Sequence, residues 1–275
     1  MIAPSPERPA GLRSLKAEFV LPLDLKREGG AVRAFLAFAR GELFPSILER
    51  ISADFHAYEL RHYARLKHRG RQASYALGRW ACKLAAGAYL GESDKGKIEI
   101  GSGSFNQPIV RHGAHEIPEI TLAHTPDLAL AIAYPSGHIM GVDVEPVDGS
   151  KLFVYQRVLT PSEQSLARSL PTDFLRACNL MWTVKEALSK AIKCGLMTPF
   201  EVLEIQSMTQ ETDGRFLACF RNFSQYKCIS WLRPDSGLSI VLPRKTDLTL
   251  DPSAFFRGED GSARPSARDA AVMAY

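Results

Sequence analysis

The chain has 275 residues, of which 45% are hydrophobic and 23% are charged, as is typical of a globular protein. This length allows one large domain or two small ones. The formal net charge of +4 is too small to indicate a nucleic-acid-binding protein, and no apolar run is long enough to predict a membrane span.

The cysteines and the N-terminal sequence indicate the expected compartment. The five cysteines include no C-x-x-C pair, so neither a disulfide framework nor a zinc cluster is predicted. The first residues, MIAPSPERPAGLRSLKAEF, lack the apolar centre of a signal peptide. We therefore expect a cytoplasmic protein with reduced cysteines and with neither a membrane nor a nucleic-acid partner.

The first part of the chain mixes helix and strand patterns. Residues 1–15 are rich in Pro, Ser and Arg and predict a flexible N-terminus. EFVLPLDL predicts a strand, and residues 32–51 and 53–66 predict helices with a break at Pro45. SYALGRWACKLAAGAYLG predicts a long helix that ends at Gly91, and KIEI, PIV and EITLAH predict short strands after it.

The second part begins with two apolar segments, LALAIAY and HIMGVDVE. They flank the turn signal PSG, which predicts a hairpin of residues 128–134 with 139–145. A second long helix is predicted over 172–193, closed by Cys194 and Gly195. FEVLEIQSM, RFLACF, KCISWL and GLSIVL are strand candidates, and the sequence from Asp247 predicts a peripheral tail.

A long helix followed by strands occurs twice, which suggests an internal repeat. Placing Arg79 over Glu186 also places Lys83 over Lys190. The sequence therefore predicts an α+β protein of two similar α/β halves. We expect an N-terminal half over 16–126, a C-terminal half over 127–246 and the tail over 247–275.

GVDVEP places two carboxylates, with one residue between them, at the end of an apolar run. In a strand, Asp143 and Glu145 project from the same face, while Val142 and Val144 face the other way. The two acids would repel each other unless a cation lay between them, and hard carboxylate oxygens suit Mg²⁺. Acids that simply reach solvent at a strand end would give the same pattern.

WTVKEALSK is the second segment with chemical potential. On a helix, Glu186 and Lys190 share one face, as in any ordinary Glu–Lys pair that supports a helix. Lys185 falls inside the apolar stripe of the same helix. A lysine at such a position must extend its ammonium to solvent or meet an anion.

GVDVE followed by WTVKEALSK resembles the two-part signature of the 4′-phosphopantetheinyl transferases. The intervening RVLTPSEQSLA also resembles that family, and HRGRQASYALGRWACK is similar to the arginine-rich segment of its monomeric, double-length branch, the surfactin-synthetase-activating or enterobactin type. The likeness covers about residues 55–245. It implies a monomeric pseudo-dimer of two halves, with the active site in the cleft between them.

The resemblance implies an activity with assigned roles. Phosphopantetheine would pass from coenzyme A to a serine hydroxyl of an apo acyl, peptidyl or aryl carrier protein, releasing 3′,5′-adenosine bisphosphate. Asp143, Glu145 and Glu186 would hold Mg²⁺, and Glu186 would also accept the serine proton. Lys190 would neutralise phosphoryl charge, and Asp143 and Lys190 would also belong to the coenzyme A site.

Further coenzyme A contacts are implied by single positions. Arg69 and Arg71 match cations that relatives direct toward the 3′-phosphate and adenosine, although a basic run is usually a solvated helix face. His124 matches the histidine of the family's Ser-His-Ser turn, in which Ala123 and Thr125 replace the serines. Without the resemblance, a lone histidine beside a strand is more often structural.

Two further features and two rival functions complete the expectations. Gln107 stands where the family's Gly-Lys-Pro has lysine. Leu152, Phe153 and Tyr155 are either core residues or the apolar patch that docks a carrier protein. The same three acids would also suit a Mg²⁺-dependent phosphodiesterase or nuclease, and a non-catalytic protein that binds coenzyme A or a carrier is the other alternative.

Overall fold

Two five-stranded antiparallel sheets form the frame of the protein. The computed structural model describes residues 17–250. In spatial order, the first sheet contains β12 (Thr246–Leu248), β1 (Glu18–Arg27), β2 (Gly30–Arg40), β6 (Leu128–Tyr134) and β5 (Glu119–His124). The second contains β7 (Gly141–Pro146), β11 (Ser236–Pro243), β10 (Tyr226–Leu232), β9 (Phe216–Phe220) and β8 (Ile205–Gln210). A separate pair is formed by β3 (Glu99–Ser102) and β4 (Pro108–Arg111).

A long helix covers each sheet. The helix α3 packs on the first sheet and α6 packs on the second, and each helix has its own cluster of buried apolar side chains. No described helix is long and apolar enough to cross a membrane. The helices are α1 (Phe44–Asp54), α2 (Ala57–Arg65), α3 (Arg69–Leu90), α4 (Leu152–Val158), α5 (Pro161–Ser169) and α6 (Phe174–Ala191).

The chain repeats one topology. From β2 to β6 it runs through one strand, three helices and four strands, and it does so again from β7 to β11. The order β2-β6-β5 in the first sheet corresponds to β7-β11-β10 in the second, and the β4–β3 pair corresponds to β9–β8. The predicted α+β class, with two similar halves in one chain, is confirmed.

The register of the repeat differs from the predicted one. Lys83 and Lys185 are both fully buried and both form an ion pair with a glutamate of the preceding short helix. Gly91 and Lys193 both have left-handed backbone, at φ 67° and 56°, where the two long helices end. At equal spacing these two pairs correspond, so the predicted match of Lys83 with Lys190 is wrong.

The buried ion pairs explain the lysine inside the apolar stripe of α6. Lys185 Nζ lies 2.6 Å from Glu163 and also donates to the carbonyls of Val158 and Phe200. Glu163 accepts the backbone N–H of Thr160 as well, so the pair joins α6 to the start of α5. Of the two alternatives for Lys185, solvent or an anion, the structure shows the anion.

Three local predictions need correction. Residues 32–40 belong to β2 and not to a helix. Residues 36–39 are buried on both faces of the sheet, so the sequence lacks the alternation that would have predicted a strand. The predicted hairpin is wrong, since β6 and β7 lie in different sheets. The predicted tail begins inside the first sheet, where β12 pairs with β1 and buries Thr246 and Leu248.

The chain passes from the first sheet to the second after β6. The sheets change between Tyr134 and Gly141, after the division that the sequence suggested at residue 126. That division and the limits of the halves stay predictions. Residues 1–15 and the tail from 251 onwards lie outside the described residues.

Candidate active site

A cavity of about 440 Å³ lies where the two halves meet. The first half contributes β5 and the turn between β3 and β4, and the second contributes β7 and α6. Because the elements come from both sheets, the cavity matches the cleft that the sequence predicted. Six predicted site residues line it: Gln107, His124, Asp143, Glu145, Glu186 and Lys190.

Gly141 allows the strand β7, which carries Asp143 and Glu145, to pack closely against the helix α6. A Cβ atom at Gly141 would lie 2.0 Å from the carbonyl oxygen of Ala187 and 2.7 Å from the amide nitrogen of Ala191. Only glycine allows this approach of β7 to α6. As a result, Asp143 on the strand reaches Lys190 on the helix.

Asp143 and Lys190 form an ion pair in the cavity wall. The ammonium of Lys190 donates to Asp143 Oδ1 at 2.7 Å. Asp143 is 4% exposed, and burial raises its pKa while the Lys190 ammonium lowers it. Its other oxygen, Oδ2, is buried without a hydrogen-bond partner.

Glu186 is a second acid of the site with a raised pKa. Burial raises its pKa to about 7, with a further contribution from the negative charge of Asp143. Glu186 Oε1, like Asp143 Oδ2, is buried without a hydrogen-bond partner. Glu145 is more exposed than Asp143. It accepts a hydrogen bond from Lys151 Nζ at 3.0 Å, a contact that the sequence did not suggest.

The carboxylates are suited to a cation by chemistry, but they are not gathered around one point. Among residues 17–250, no group of three or more His, Cys, Asp or Glu side chains is placed to hold a metal ion. Two of the three predicted ligands nevertheless offer an unpaired, buried carboxylate oxygen to the same cavity. Such oxygens are hard donors of the type that Mg²⁺ prefers.

The first half supplies polar groups on the opposite wall. His124 Nδ1 lies 3.3 Å from the hydroxyl of Ser74 on α3, a residue that sequence reasoning missed. Partial burial of the ring, and then the charge of Lys190, lower the pKa of His124. Gln107 Oε1 accepts the backbone N–H of Phe105 at 2.9 Å and so shapes the turn between β3 and β4.

Three predicted coenzyme A contacts lie outside the cavity lining. Arg69 and Arg71 are exposed in the first turn of α3. Arg71 precedes Ser74 by three residues and therefore shares its face of the helix, which leads to His124. Thr125 forms the turn after β5, where its backbone N–H donates to the carbonyl of Leu128 at 2.7 Å.

The predicted docking patch is partly core. Tyr155 is 1% exposed and its hydroxyl accepts a hydrogen bond from Asn179, so it has no surface to offer a partner and that assignment is corrected. Leu152 is partly buried against the core of the second half. Phe153 is 68% exposed, and its neighbour Val154, which the sequence did not single out, is 47% exposed.

Comparison with known proteins matches the second half of the chain to the superfamily that the sequence resembles. Residues 139–241, which contain Asp143, Glu145, Glu186 and Lys190, match the model of the 4′-phosphopantetheinyl transferase superfamily. The double-length branch suggested by the sequence is not tested by this match. No curated protein matches the chain.

A solved structure is also similar. It is a crystal structure of a holo-(acyl-carrier-protein) synthase from Bacillus anthracis str. Ames in complex with CoA (3′,5′-ADP). The two proteins are 16% identical, and the alignment covers 42% of this chain and 96% of the other with a TM-score of 0.34.

Proposed function

We propose that the protein transfers the 4′-phosphopantetheine group of coenzyme A to a serine hydroxyl of an apo carrier protein. The main support is the cavity between the halves, in which the superfamily-matched segment presents Asp143, Glu186 and Lys190 together. The opposite wall, with His124 and Gln107, comes from the other half. Coenzyme A, as a long anionic substrate, could contact both of these walls.

Asp143, Glu145 and Glu186 are the proposed ligands of Mg²⁺. Asp143 and Glu186 each have a buried carboxylate oxygen without a hydrogen-bond partner, which a cation could accept as a ligand. A cation between the two acids would also offset the burial that raises the pKa of both. When bound, Mg²⁺ would neutralise charge on the diphosphate of coenzyme A. The ammonium of Lys190, which pairs with Asp143, would turn to a phosphoryl oxygen of coenzyme A.

Glu186 is the proposed general base. A carboxylate with a pKa of about 7 takes up a proton far more readily near neutral pH than an ordinary glutamate. The serine oxygen would form a bond to the phosphorus that bears the pantetheine, and its proton would pass to Glu186 directly or through water. The bond from that phosphorus to the bridging diphosphate oxygen would break, and 3′,5′-adenosine bisphosphate would leave.

The other predicted residues divide between the two substrates. Gln107 and His124 would contact coenzyme A inside the cavity, and Arg69, Arg71 and Thr125 would meet the part that extends beyond it. Phe153, together with the partly buried Leu152, would contact the carrier protein. We expect the protein to be a monomer, because one chain already supplies both halves of the site. We also expect it to be cytoplasmic.

The test is the intact mass of apo carrier proteins after incubation with the protein, coenzyme A and Mg²⁺. A gain of one phosphopantetheine group on an acyl, peptidyl or aryl carrier, abolished by EDTA, is expected. Coenzyme A binding without transfer to any carrier would instead favour a non-catalytic binding protein. Cleavage of nucleic acid by the same preparation, without transfer, would favour the phosphodiesterase alternative.

A further inference from the structure

Lys193 occupies a backbone position that rarely suits a lysine. It follows α6 with φ 56°, in the left-handed region, where glycine is the usual residue. In the first half, the corresponding position after α3 is Gly91. Lys193 therefore has a strained backbone beside the proposed site, and strained residues in such places are frequently part of the function.

The side chain of Lys193 lies on the border between two cavities. It lines the 440 Å³ cavity of the proposed active site, and it also lines a neighbouring cavity of about 420 Å³. Glu119, the first residue of β5, lines only the second of these cavities. The ammonium of Lys193 donates to Glu119 Oε2 at 2.6 Å, so a residue of the other half holds it from outside the active-site cavity.

The charges of the active-site cavity are unbalanced. Among the described residues that line it, three are carboxylates, and Lys190 and Lys193 are the side chains with a permanent positive charge. Lys190 is already paired with Asp143. Lys193 is therefore the cation whose partner could be exchanged without uncovering a carboxylate inside the cavity.

The exchange would cost little. The side chains of Lys193 and Glu119 are 42% and 40% exposed, and ion pairs at such positions contribute little to stability because solvent screens them. Glu119 would remain solvated after losing the lysine. A phosphate group bound in the more enclosed cavity would bond the ammonium more strongly than Glu119 does.

We propose that Lys193 binds a phosphate group of coenzyme A and that Glu119 holds it in reserve while the cavity is empty. This inference rests on the proposed function. It predicts opposite effects of removing the two partners: loss of Lys193 weakens coenzyme A binding, whereas loss of the Glu119 charge strengthens it. A pair that only stabilised the junction would make both changes harmful.

The experiment is calorimetric titration of coenzyme A into the full-length protein with Mg²⁺ and without carrier. Lys193→Gly, which suits the left-handed backbone, should raise the Kd about tenfold. Glu119→Gln should lower the Kd about two- to fivefold, since it frees the lysine from a weak surface pair. Lys193→Arg should restore most of the affinity, and Lys97→Ala, which breaks an exposed pair with Glu92 outside the cavity, should change nothing.

Titration of 3′-dephospho-coenzyme A locates the phosphate. If the effect of Lys193→Gly disappears with this ligand, Lys193 binds the 3′-phosphate; if it persists, Lys193 binds the diphosphate. A weaker binding by Glu119→Gln, or an unchanged Kd for Lys193→Gly, would overturn the inference. A wild-type protein that neither binds coenzyme A nor modifies a carrier would instead reject the proposed function.

Discussion

The two halves share a frame but not a charge pattern. The strands β2 and β7 end opposite the first residues of β6 and β11, at Arg40–Leu128 and Pro146–Ser236. Counting back from these pairs, Ala37 and Ala39 occupy the positions of Asp143 and Glu145. One half of the repeat therefore has two buried alanines where the other has the two acids of the proposed metal site.

The long helices differ in the same way. Because Lys83 corresponds to Lys185, the next residue, Leu84, corresponds to Glu186. Leu84 is buried in the apolar cluster of the first half, whereas Glu186 faces the cavity. The first half thus has the same frame and buried ion pair without acids at these positions, and the three acids of the proposed metal site belong to the second half alone.

The largest expected effect comes from removing the charge of Glu186, which the first half lacks at the corresponding position. Glu186→Gln should reduce phosphopantetheinyl transfer about a thousandfold, since it removes a proton acceptor and a metal ligand together. The measurement is the initial rate of carrier modification by mass spectrometry. Glu211→Gln, on the exposed β8–β9 turn, should keep the wild-type rate. Full activity of Glu186→Gln would remove this residue from the mechanism.

The next effect compares the buried ion pairs. Lys185→Met and Lys83→Met each leave a buried glutamate without its counter-ion and should each lower the free energy of unfolding by about 3–5 kcal/mol. The first-half change should be the larger, because Glu163 keeps the N–H of Ile205 as a donor when its lysine is lost, whereas Glu59 Oε1 has no partner.

Urea unfolding measures both losses. The transfer rate of the fraction that remains folded distinguishes the halves further, because Lys185 adjoins Glu186 and Lys83 adjoins Leu84. Only Lys185→Met should lower that rate. An unchanged rate per folded molecule in both variants would mean that both pairs act merely through global stability.

Much of the site was predictable because its signals are local. Asp143 and Glu145 alternate along one strand, and Glu186 and Lys190 are one helical turn apart, so each pair can be placed from its own segment. The end of α3 at Gly91 is equally local. The spacing of the two segments, with the family resemblance, then indicated that they meet.

Most of the missed features depend on contacts between distant segments. The contacts of Ser74 with His124 and of Glu119 with Lys193 join elements far apart in the chain. Lys151 lies only six residues after Glu145, but the turn that brings it back to this acid has no signal in the pattern of the strand. The strand β2 was predicted as a helix because its apolar run has no alternation, and its pairing with β1 and β6 decides its conformation. The register of the repeat likewise rests on buried ion pairs and left-handed caps, which a helical pattern does not reveal.

A third effect separates the charge of Glu186 from its packing. Its pKa is about 7 in the folded protein against an ordinary 4.5, so the folded state binds this proton more tightly. The associated stability is present below pH 4.5 and is lost as the pH rises through 7. In EDTA, Glu186→Gln should therefore be more stable than the wild type by about 3 kcal/mol at pH 8, with the difference vanishing near pH 4.

Thermal unfolding at the two pH values checks this expectation. Added Mg²⁺ should reverse the order at pH 8, because the cation stabilises the wild-type carboxylate and has one ligand fewer in the variant. A stability difference that does not change with pH would mean that the substitution acts through packing. Leu84, at the corresponding position of the first half, has no charge to lose.

The smallest effect concerns how the two long helices begin. Asp173 precedes α6, and its Oδ1 accepts the backbone N–H of Arg176 at 3.0 Å, whereas His68 precedes α3 without such a side-chain bond. Asp173→Ala should lower the free energy of unfolding by about 1 kcal/mol, and His68→Ala should change it by less than about 0.5 kcal/mol. Asp173→Asn, which can still accept the bond, should recover most of the loss. If Asp173→Ala and His68→Ala have equal effects in urea unfolding, the cap does not distinguish α6 from α3. The asymmetry between the halves is then confined to the three acids and to the two buried ion pairs of Lys83 and Lys185.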